Sequence, residues 1–249
     1  MARTAVRVVF VLALASALLA RDVHAQSTVS FQTVDTTVND ANSTSIVIAV
    51  PSGTQLNDLL IATVTVDGNS PITPSAAGWT EINQGQCPNS GCTLGVWYRV
   101  ATASEPASYT FTFANNKNVG AVLRYGNAHV ESNVIDASGA ATGTSATPTA
   151  PSVTTTVPNA LVLRIEGNED DTLNVGTYPG GTTGRFAIEG TGAGAVGSAG
   201  ADATQASAGA TGTAAFSTAD ATDDWRAAPC DAGWYASGSS ARQIWVWRS

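Results

Sequence analysis

An acidic run near the middle of the chain carries the residue types best suited to chemistry. It places four carboxylates between positions 166 and 171, among them Glu169, Asp170 and Asp171. Hard cations such as Ca²⁺ prefer several carboxylate and carbonyl oxygens, and a turn rich in acids can supply them. Glu169, Asp170 and Asp171 are therefore the candidate metal ligands, and Ca²⁺ is the cofactor that this interpretation implies. The alternative is a solvated acidic loop, since the spacing differs from that of an EF-hand loop.

The same run contains two acids that could serve a glycoside hydrolase. Such enzymes place a carboxyl group on each side of the scissile bond, and Glu166 and Asp170 would share a face if their strand continued. Gly167 and Asn168 favour a turn instead, so a secreted glycan-active hydrolase is kept as an alternative. His129 is the one histidine after position 25, and no G-x-S-x-G sequence accompanies it. We therefore assign no catalytic residues.

Aromatic residues offer a binding chemistry rather than a catalytic one. Four of the six tryptophans lie within the last 25 residues. In a strand, Trp245 and Trp247 would point to the same side, and broad apolar rings can stack on sugar rings. They are the candidate ligand-binding residues for a glycan or a cell-surface polymer. The competing interpretation is that this pair closes the core as a final strand.

Three cysteines limit the redox chemistry. Cys87 and Cys92 flank a Pro-Asn-Ser-Gly segment that can turn the chain. Outside the cytoplasm such a pair can oxidise, so we predict a disulfide between Cys87 and Cys92. Cys230 is left either free and buried or paired with one of the other two. A zinc site is disfavoured because few histidines and cysteines are available.

The start of the chain has the form of a secretion signal. Arg3 and Arg7 precede an apolar run from 8 to 20, and a small-x-small site ends at Ala25. The run is shorter than the roughly 20 residues that cross a bilayer. We therefore expect residues 1–25 to be a signal peptide, residues 26–249 to be a secreted or cell-surface domain, and no span of the membrane.

Composition excludes several classes of protein. The chain has 249 residues, 43% of them hydrophobic, and a net charge of −8, which becomes −10 once residues 1–25 are removed. The apolar fraction can fill a core, which argues against disorder. The acidic balance argues against a nucleic-acid partner, because phosphates require a surface rich in Lys and Arg. Abundant Thr, Val, Ser and Gly argue against long helices.

Short alternating runs bounded by turn residues predict β-strands. The aromatic residues of the stretch 109–113 would share one face and its threonines the other, whereas residues 59–67 alternate less cleanly and would be covered on both faces. Trp79 and Trp97 are expected in the core. Many short strands with frequent turns predict an all-β fold, a single antiparallel β-sandwich of jelly-roll-like form.

Two further patterns concern the organisation of that sandwich. Residues 66–69 and 165–168 are similar at an offset of 99, which indicates two pseudo-repeated halves or a chance similarity. Residues 190–215 are mostly Gly, Ala, Ser and Thr, as in a linker or in strands that let two sheets approach closely. The polar residues Asp202, Thr204 and Gln205 favour the strand interpretation.

A series of short motifs resembles a β-sandwich domain of unknown function found in bacterial secreted proteins and phage tail proteins. These motifs are VPSG at 50–53, DLLI at 58–61, AGWT at 77–80, VWYRVA at 96–101, ASEP at 103–106, TTTV at 154–157, NALV at 159–162, the acidic pair at 170–171 and ASAGATG at 206–212. The likeness covers about residues 45–228. It implies one sandwich with an extracellular structural or recognition role and no catalytic residues. The loop from 87 to 92 and the tail after 230 depart from it.

These observations favour a non-catalytic recognition or structural module that binds carbohydrate. The first alternative is the hydrolase described above. The second is a self-assembling filament or surface-layer subunit, because an edge strand can pair with another copy of the chain.

Overall fold

A computed structural model describes residues 28–128, 130, 134–169, 177–218 and 222–232. In these segments the chain forms strands and one 3₁₀ turn at Pro88–Ser90. The first half contains β1 (Ser30–Ala49), β2 (Leu59–Asp67), β3 (Thr73–Pro74), β4 (Thr80–Gln86), β5 (Cys92–Val100) and β6 (Ser108–Gly126). The second half contains β7 (Ile135–Ser138), β8 (Ala141–Thr144), β9 (Thr149–Ala150), β10 (Thr154–Thr155), β11 (Ala160–Glu169), β12 (Thr183–Glu189), β13 (Val196–Gln205), β14 (Gly209–Ala210), β15 (Ala214–Ala215) and β16 (Asp224–Ala232).

The two main sheets each come from one half of the chain. Sheet A has the order β1-β6-β2-β5-β4, and sheet B has the order β7-β16-β11-β13-β12, with every pairing antiparallel. In both sheets the central strand, β2 or β11, lies between the last strand of that half of the chain and a hairpin that ends in the edge strand β4 or β12. The two strand orders are therefore equivalent. The predicted antiparallel sandwich and its two repeated halves are thus confirmed.

The repeat has a different spacing from the one that the sequence suggested. Asn57 and Asn159 both have positive φ angles, 70° and 57°, just before the central strands. They are 102 positions apart, and the inward residues Leu59 and Leu161 keep the same spacing. The offset of 99 is therefore wrong by three residues, because it aligned two strand ends of similar composition rather than equivalent positions in the sheets.

The core lies between the inner faces of sheets A and B. Sheet A contributes Leu59, Ile61, Leu94, Val96, Leu123 and Tyr125, and sheet B contributes Leu161, Leu163, Ile165, Phe186, Ala228 and Cys230. β2 is buried on both faces, as its uneven alternation predicted. Among the described residues, no helix is long and apolar enough to cross a membrane.

A second apolar layer covers the outer face of sheet A. β1 and β6 continue beyond the sheet as a paired ribbon in which Ile46 lies opposite Phe111, after register shifts between Asn39 and Ser45. This ribbon packs on the outward residues of β2 and β5, including Val64 and Trp97. The structure confirms that Trp97 is buried, in this outer layer rather than between the sheets. Trp79 is partly buried against the same cluster.

Short segments cover the outer face of sheet B. The ladders β9–β15 and β10–β14 carry Ala150 and Phe216 onto that face. Ala150 packs with Trp225 and Ala227, and Phe216 packs with two alanines of β13. Both faces of sheet B are therefore shielded from solvent over much of their area.

The small-residue segment forms a strand, as its polar residues indicated, and this strand, β13, lies close to β2 and β6 of the opposite sheet. Gly200 of β13 pairs with Phe186 of β12. A side chain at Gly200 would collide with the Phe186 ring. The small residues of β13 thus make room for large side chains on the neighbouring strands of the same sheet.

The disulfide between Cys87 and Cys92 is confirmed, with a Cα–Cα distance of 5.0 Å. Both sulfur atoms contact the carbonyl oxygen of Gly167, at 3.9 and 3.8 Å. The disulfide therefore fixes the β4–β5 turn of sheet A against the central strand of sheet B. Cys230 is free and buried.

Candidate functional site

The residues predicted from sequence to bind ligands fall mostly beyond the described segments. Trp245, Trp247, Asp170 and Asp171 lie outside them. Glu169 ends β11 and is partly buried. Within the described residues, no three acidic, histidine or cysteine side chains converge to hold a metal ion. The calcium and aromatic sites therefore stay predictions.

The hydrolase alternative depends on Glu166, which lies on the outer face of β11. This face of the strand carries Val162 followed by the polar residues Arg164, Glu166 and Asn168, all of them buried. Glu166 is 4% exposed, so its carboxyl group has little access to a substrate. Asp170, the second acid of that alternative, lies outside the described residues.

The outward face of β11 leads to a cleft that the sequence analysis missed. We name it the Arg164 cleft; its volume is about 260 Å³. Its polar lining consists of Arg164, Thr182, Thr204, Gln205, Thr211 and Thr213. Strands β11 and β13 form its floor, and the segment that follows β14 forms one wall. A cleft with several hydroxyl, amide and guanidinium groups is suited to a polar ligand.

Arg164 is the unusual residue of this cleft. It is 6% exposed, its Nη2 donates one hydrogen bond of 3.1 Å to the carbonyl oxygen of Thr211, and its buried Nε has no hydrogen-bond partner. Burial lowers the pKa of Arg164, and no neighbouring carboxylate offsets that effect among the described residues. A buried guanidinium of this kind is costly unless an anion compensates it.

A second, larger cleft adjoins the first. We name it the Arg185 cleft; its volume is about 460 Å³, and it shares Gly181, Ala203 and Thr204 with the Arg164 cleft. Its remaining lining includes Phe31 and Arg185. At the shared end of β13, Ala203 faces the outer side of sheet B with Val162, and Thr204 faces the inner side with Leu161. The two clefts therefore adjoin around this strand.

An ordered polar network stiffens the Arg185 cleft. Arg185 donates to both carboxylate oxygens of Asp202, at 2.8 and 2.7 Å, and Tyr125 donates its hydroxyl proton to the same carboxylate at 2.9 Å. The Arg185 guanidinium lies over the Phe31 ring, 4.4 Å from its centre. Burial, reinforced by Asp202, raises the pKa of Tyr125 well above its ordinary value, so the hydroxyl keeps its proton. This network joins sheet A to sheet B.

A pair of acids lies at the opposite edge of sheet B. Asp231 is fully buried and accepts a 2.5 Å hydrogen bond from the backbone N–H of Ala137. Asp136 accepts two hydrogen bonds from Thr156. Burial first, and then repulsion by Asp136, raise the pKa of Asp231 to about 6 against the opposing hydrogen bond. The native chain therefore holds a proton on Asp231 more tightly than the unfolded chain does.

Asp231→Asn is expected to remove a pH dependence of stability. Because the native pKa exceeds the unfolded one, the stabilisation is present below about pH 4 and is lost as the pH rises through about 6. At neutral pH the variant should gain about 2 kcal/mol of stability over the wild type, and at acid pH it should gain little. Thermal melts of both proteins across this range provide the measurement. Asp35→Asn on β1 is the control for charge removal; a parallel response of the two variants would contradict the assignment to Asp231.

The strands at the sheet edges bear on self-association. β12 is seven residues long, and β7 and β8 have four residues each. β1 is longer, but its register shifts near Phe31 and Asn39 and it carries Asp35 and Asp40. Short, bulged and charged edges resist pairing with another chain. Self-association through an edge strand stays a prediction.

Comparison with known proteins adds no family to this description. No family model matches the chain, and neither a curated protein nor a solved structure matches it significantly. The class that the fold defines is an all-β antiparallel sandwich with two repeated halves. The likeness to secreted and phage tail domains stays a prediction.

Proposed function

We propose that this chain is a secreted or cell-surface recognition module that binds saccharides and catalyses no reaction. The observation that carries the proposal is the pair of adjoining clefts on sheet B. The larger one falls within the roughly 300–1,000 Å³ typical of small-molecule sites. An adhesive role at a cell surface would follow from such binding.

The chemistry of the lining supports a hydroxyl-rich ligand. Threonine hydroxyls and the Gln205 amide can both donate and accept hydrogen bonds, and the arginines supply further donors. The apolar part of the smaller cleft consists mainly of small residues such as Ala203 and Ala214. Sugars present this combination of many hydroxyl groups and little apolar surface.

Saccharide binding can be tested with a glycan array on residues 26–249, followed by calorimetric titration of the bound glycans. Thr204 is exposed, and its side chain lies on the Leu161 side of β13, toward the Arg185 cleft, so Thr204→Phe should obstruct that cleft and weaken binding by about tenfold or more. Val47→Phe adds the same ring at an exposed position on β1 and should leave the affinity unchanged.

Two results would count against this site. One is an array with no signal above background, which would remove saccharide binding altogether. The other is binding that survives Thr204→Phe but is lost in Trp245→Ala or Trp247→Ala, which would move the site to the aromatic pair.

Calcium at Glu169, Asp170 and Asp171 is a separate proposal about stability. A cation that binds only the native state adds about 2.7 kcal/mol when its concentration is 100-fold above the dissociation constant. Melts with excess Ca²⁺ and with chelator should therefore differ by several degrees, and Asp170→Asn should reduce the difference. Coincident wild-type melts would identify the run as a solvated loop.

A further inference from the structure

Among the described residues, Arg164 is the most buried arginine that forms no ion pair. Three other arginines, Arg99, Arg124 and Arg185, form ion pairs with carboxylates. Arg164 is buried, forms one hydrogen bond to a carbonyl oxygen, and lines an open cleft. A central strand has no structural need for such a residue, because Val162 on the same outer face of β11 shows that an apolar side chain is accommodated there.

A ligand can supply the missing negative charge. A guanidinium binds carboxylate, sulfate or phosphate groups through hydrogen bonds in a planar fork. The partial desolvation of Arg164 strengthens such a contact, because a charge pair interacts more strongly where water is excluded. The Nε atom is shielded from solvent and has no hydrogen-bond partner, so an oxyanion would engage the part of the guanidinium that lines the cleft.

We propose that the Arg164 cleft binds the single anionic group of an acidic saccharide, with a uronic acid carboxylate as the simplest example. This inference rests on the proposed saccharide binding and names the class of sugar. The threonines and Gln205 around Arg164 contact the sugar hydroxyls, while the guanidinium contacts the carboxylate. The wider Arg185 cleft accommodates the next sugar residue of the bound saccharide.

The net negative charge of the protein disfavours binding of densely charged anionic polymers. The chain carries a net charge of −8, which repels a polyanion at long range. One buried guanidinium compensates one anionic group at short range. The ligand is therefore a saccharide with isolated acidic residues rather than a highly sulfated chain.

Stability gives the first test, because the proposal predicts an unusual sign. Arg164→Met removes a buried uncompensated charge at similar volume, so the melting temperature should rise by about 3 °C or more. Arg185→Met is the matched control; it leaves buried Asp202 without its ion-pair partner and should lower the melting temperature. A purely structural Arg164 would instead make Arg164→Met destabilising, and that result would overturn the proposal.

Binding gives the second test, with glucuronate, glucose and acetate as probes at constant ionic strength. Glucuronate should bind the wild-type chain about tenfold more tightly than glucose does and should lose that advantage in Arg164→Met. Equal binding of glucose and glucuronate would overturn the anionic site and leave saccharide binding intact. An acetate effect that depends on Arg164, without binding of any saccharide, would overturn the sugar class and the proposed function. No effect of any probe would overturn both.

Discussion

Replacing Trp97 with alanine is expected to lower the free energy of unfolding by about 3–5 kcal/mol, the range for a large aromatic side chain removed from a core. Trp97 is 2% exposed and packs against Phe111, with 5.3 Å between the ring centres. Its ring lies over Gly95, where any side chain would collide with it. The surrounding β-ribbon of β1 and β6 cannot collapse into the vacated volume without breaking its own pairing.

Chemical denaturation of Trp97→Ala and of two companions provides the measurement. Trp97→Phe keeps part of the ring and should show an intermediate loss. Leu56→Ala removes a side chain that is 60% exposed and should change stability by less than about 0.5 kcal/mol. Equal losses for Trp97→Ala and Leu56→Ala would contradict the placement of Trp97 beneath the ribbon.

The alternation of apolar and polar residues predicted much of the fold, because successive side chains of a strand face opposite sides of the sheet. The residue type at each position therefore reflects whether that side is buried. Tyr109 and Phe111 were expected to share a buried face, and both are fully buried. The continuous burial of β2 follows from its mixed pattern in the same way. The alternation could not indicate which layer covers each buried face. A face that packs against another sheet and a face that packs against a ribbon both consist of apolar residues. Trp97 thus lies in the core as predicted, but in the layer beneath the ribbon rather than between the sheets.

The clefts escaped sequence analysis for a related reason. Arg164 stands in an otherwise apolar run, two positions before Glu166 on the same face of β11. Its burial arises only when the segments around Ala150 and Thr211 cover sheet B. A single charged residue on a strand predicted to be buried was the available signal. Asp202 was used as an indicator of a strand, but its partners Tyr125 and Arg185 lie 77 and 17 positions away, and spacing alone does not bring them together.

Asp202→Ala is expected to cost about 2–4 kcal/mol, because it removes a buried acceptor of three hydrogen bonds and leaves the partly exposed Arg185 without its ion pair. Asp202 is 2% exposed and accepts three hydrogen bonds, two from Arg185 and one from Tyr125. Its loss would leave the Tyr125 hydroxyl without an acceptor in the centre of the sandwich, where an unsatisfied polar group adds about 1–3 kcal/mol. The effect should therefore exceed that of an ordinary surface ion pair, which contributes about 0–1 kcal/mol.

The combination of Asp202→Ala with Arg185→Met distinguishes this network from a set of independent contacts. Removing both charges eliminates the unpaired guanidinium, so the double variant should be more stable than the sum of the two single losses predicts, by about 1–3 kcal/mol. Tyr125→Phe added to Asp202→Ala should likewise cost little more than Asp202→Ala alone, since the hydroxyl has already lost its acceptor. Denaturant unfolding of the single and double variants measures these couplings. Strict additivity would show that Tyr125, Asp202 and Arg185 act separately rather than as one network that joins sheets A and B.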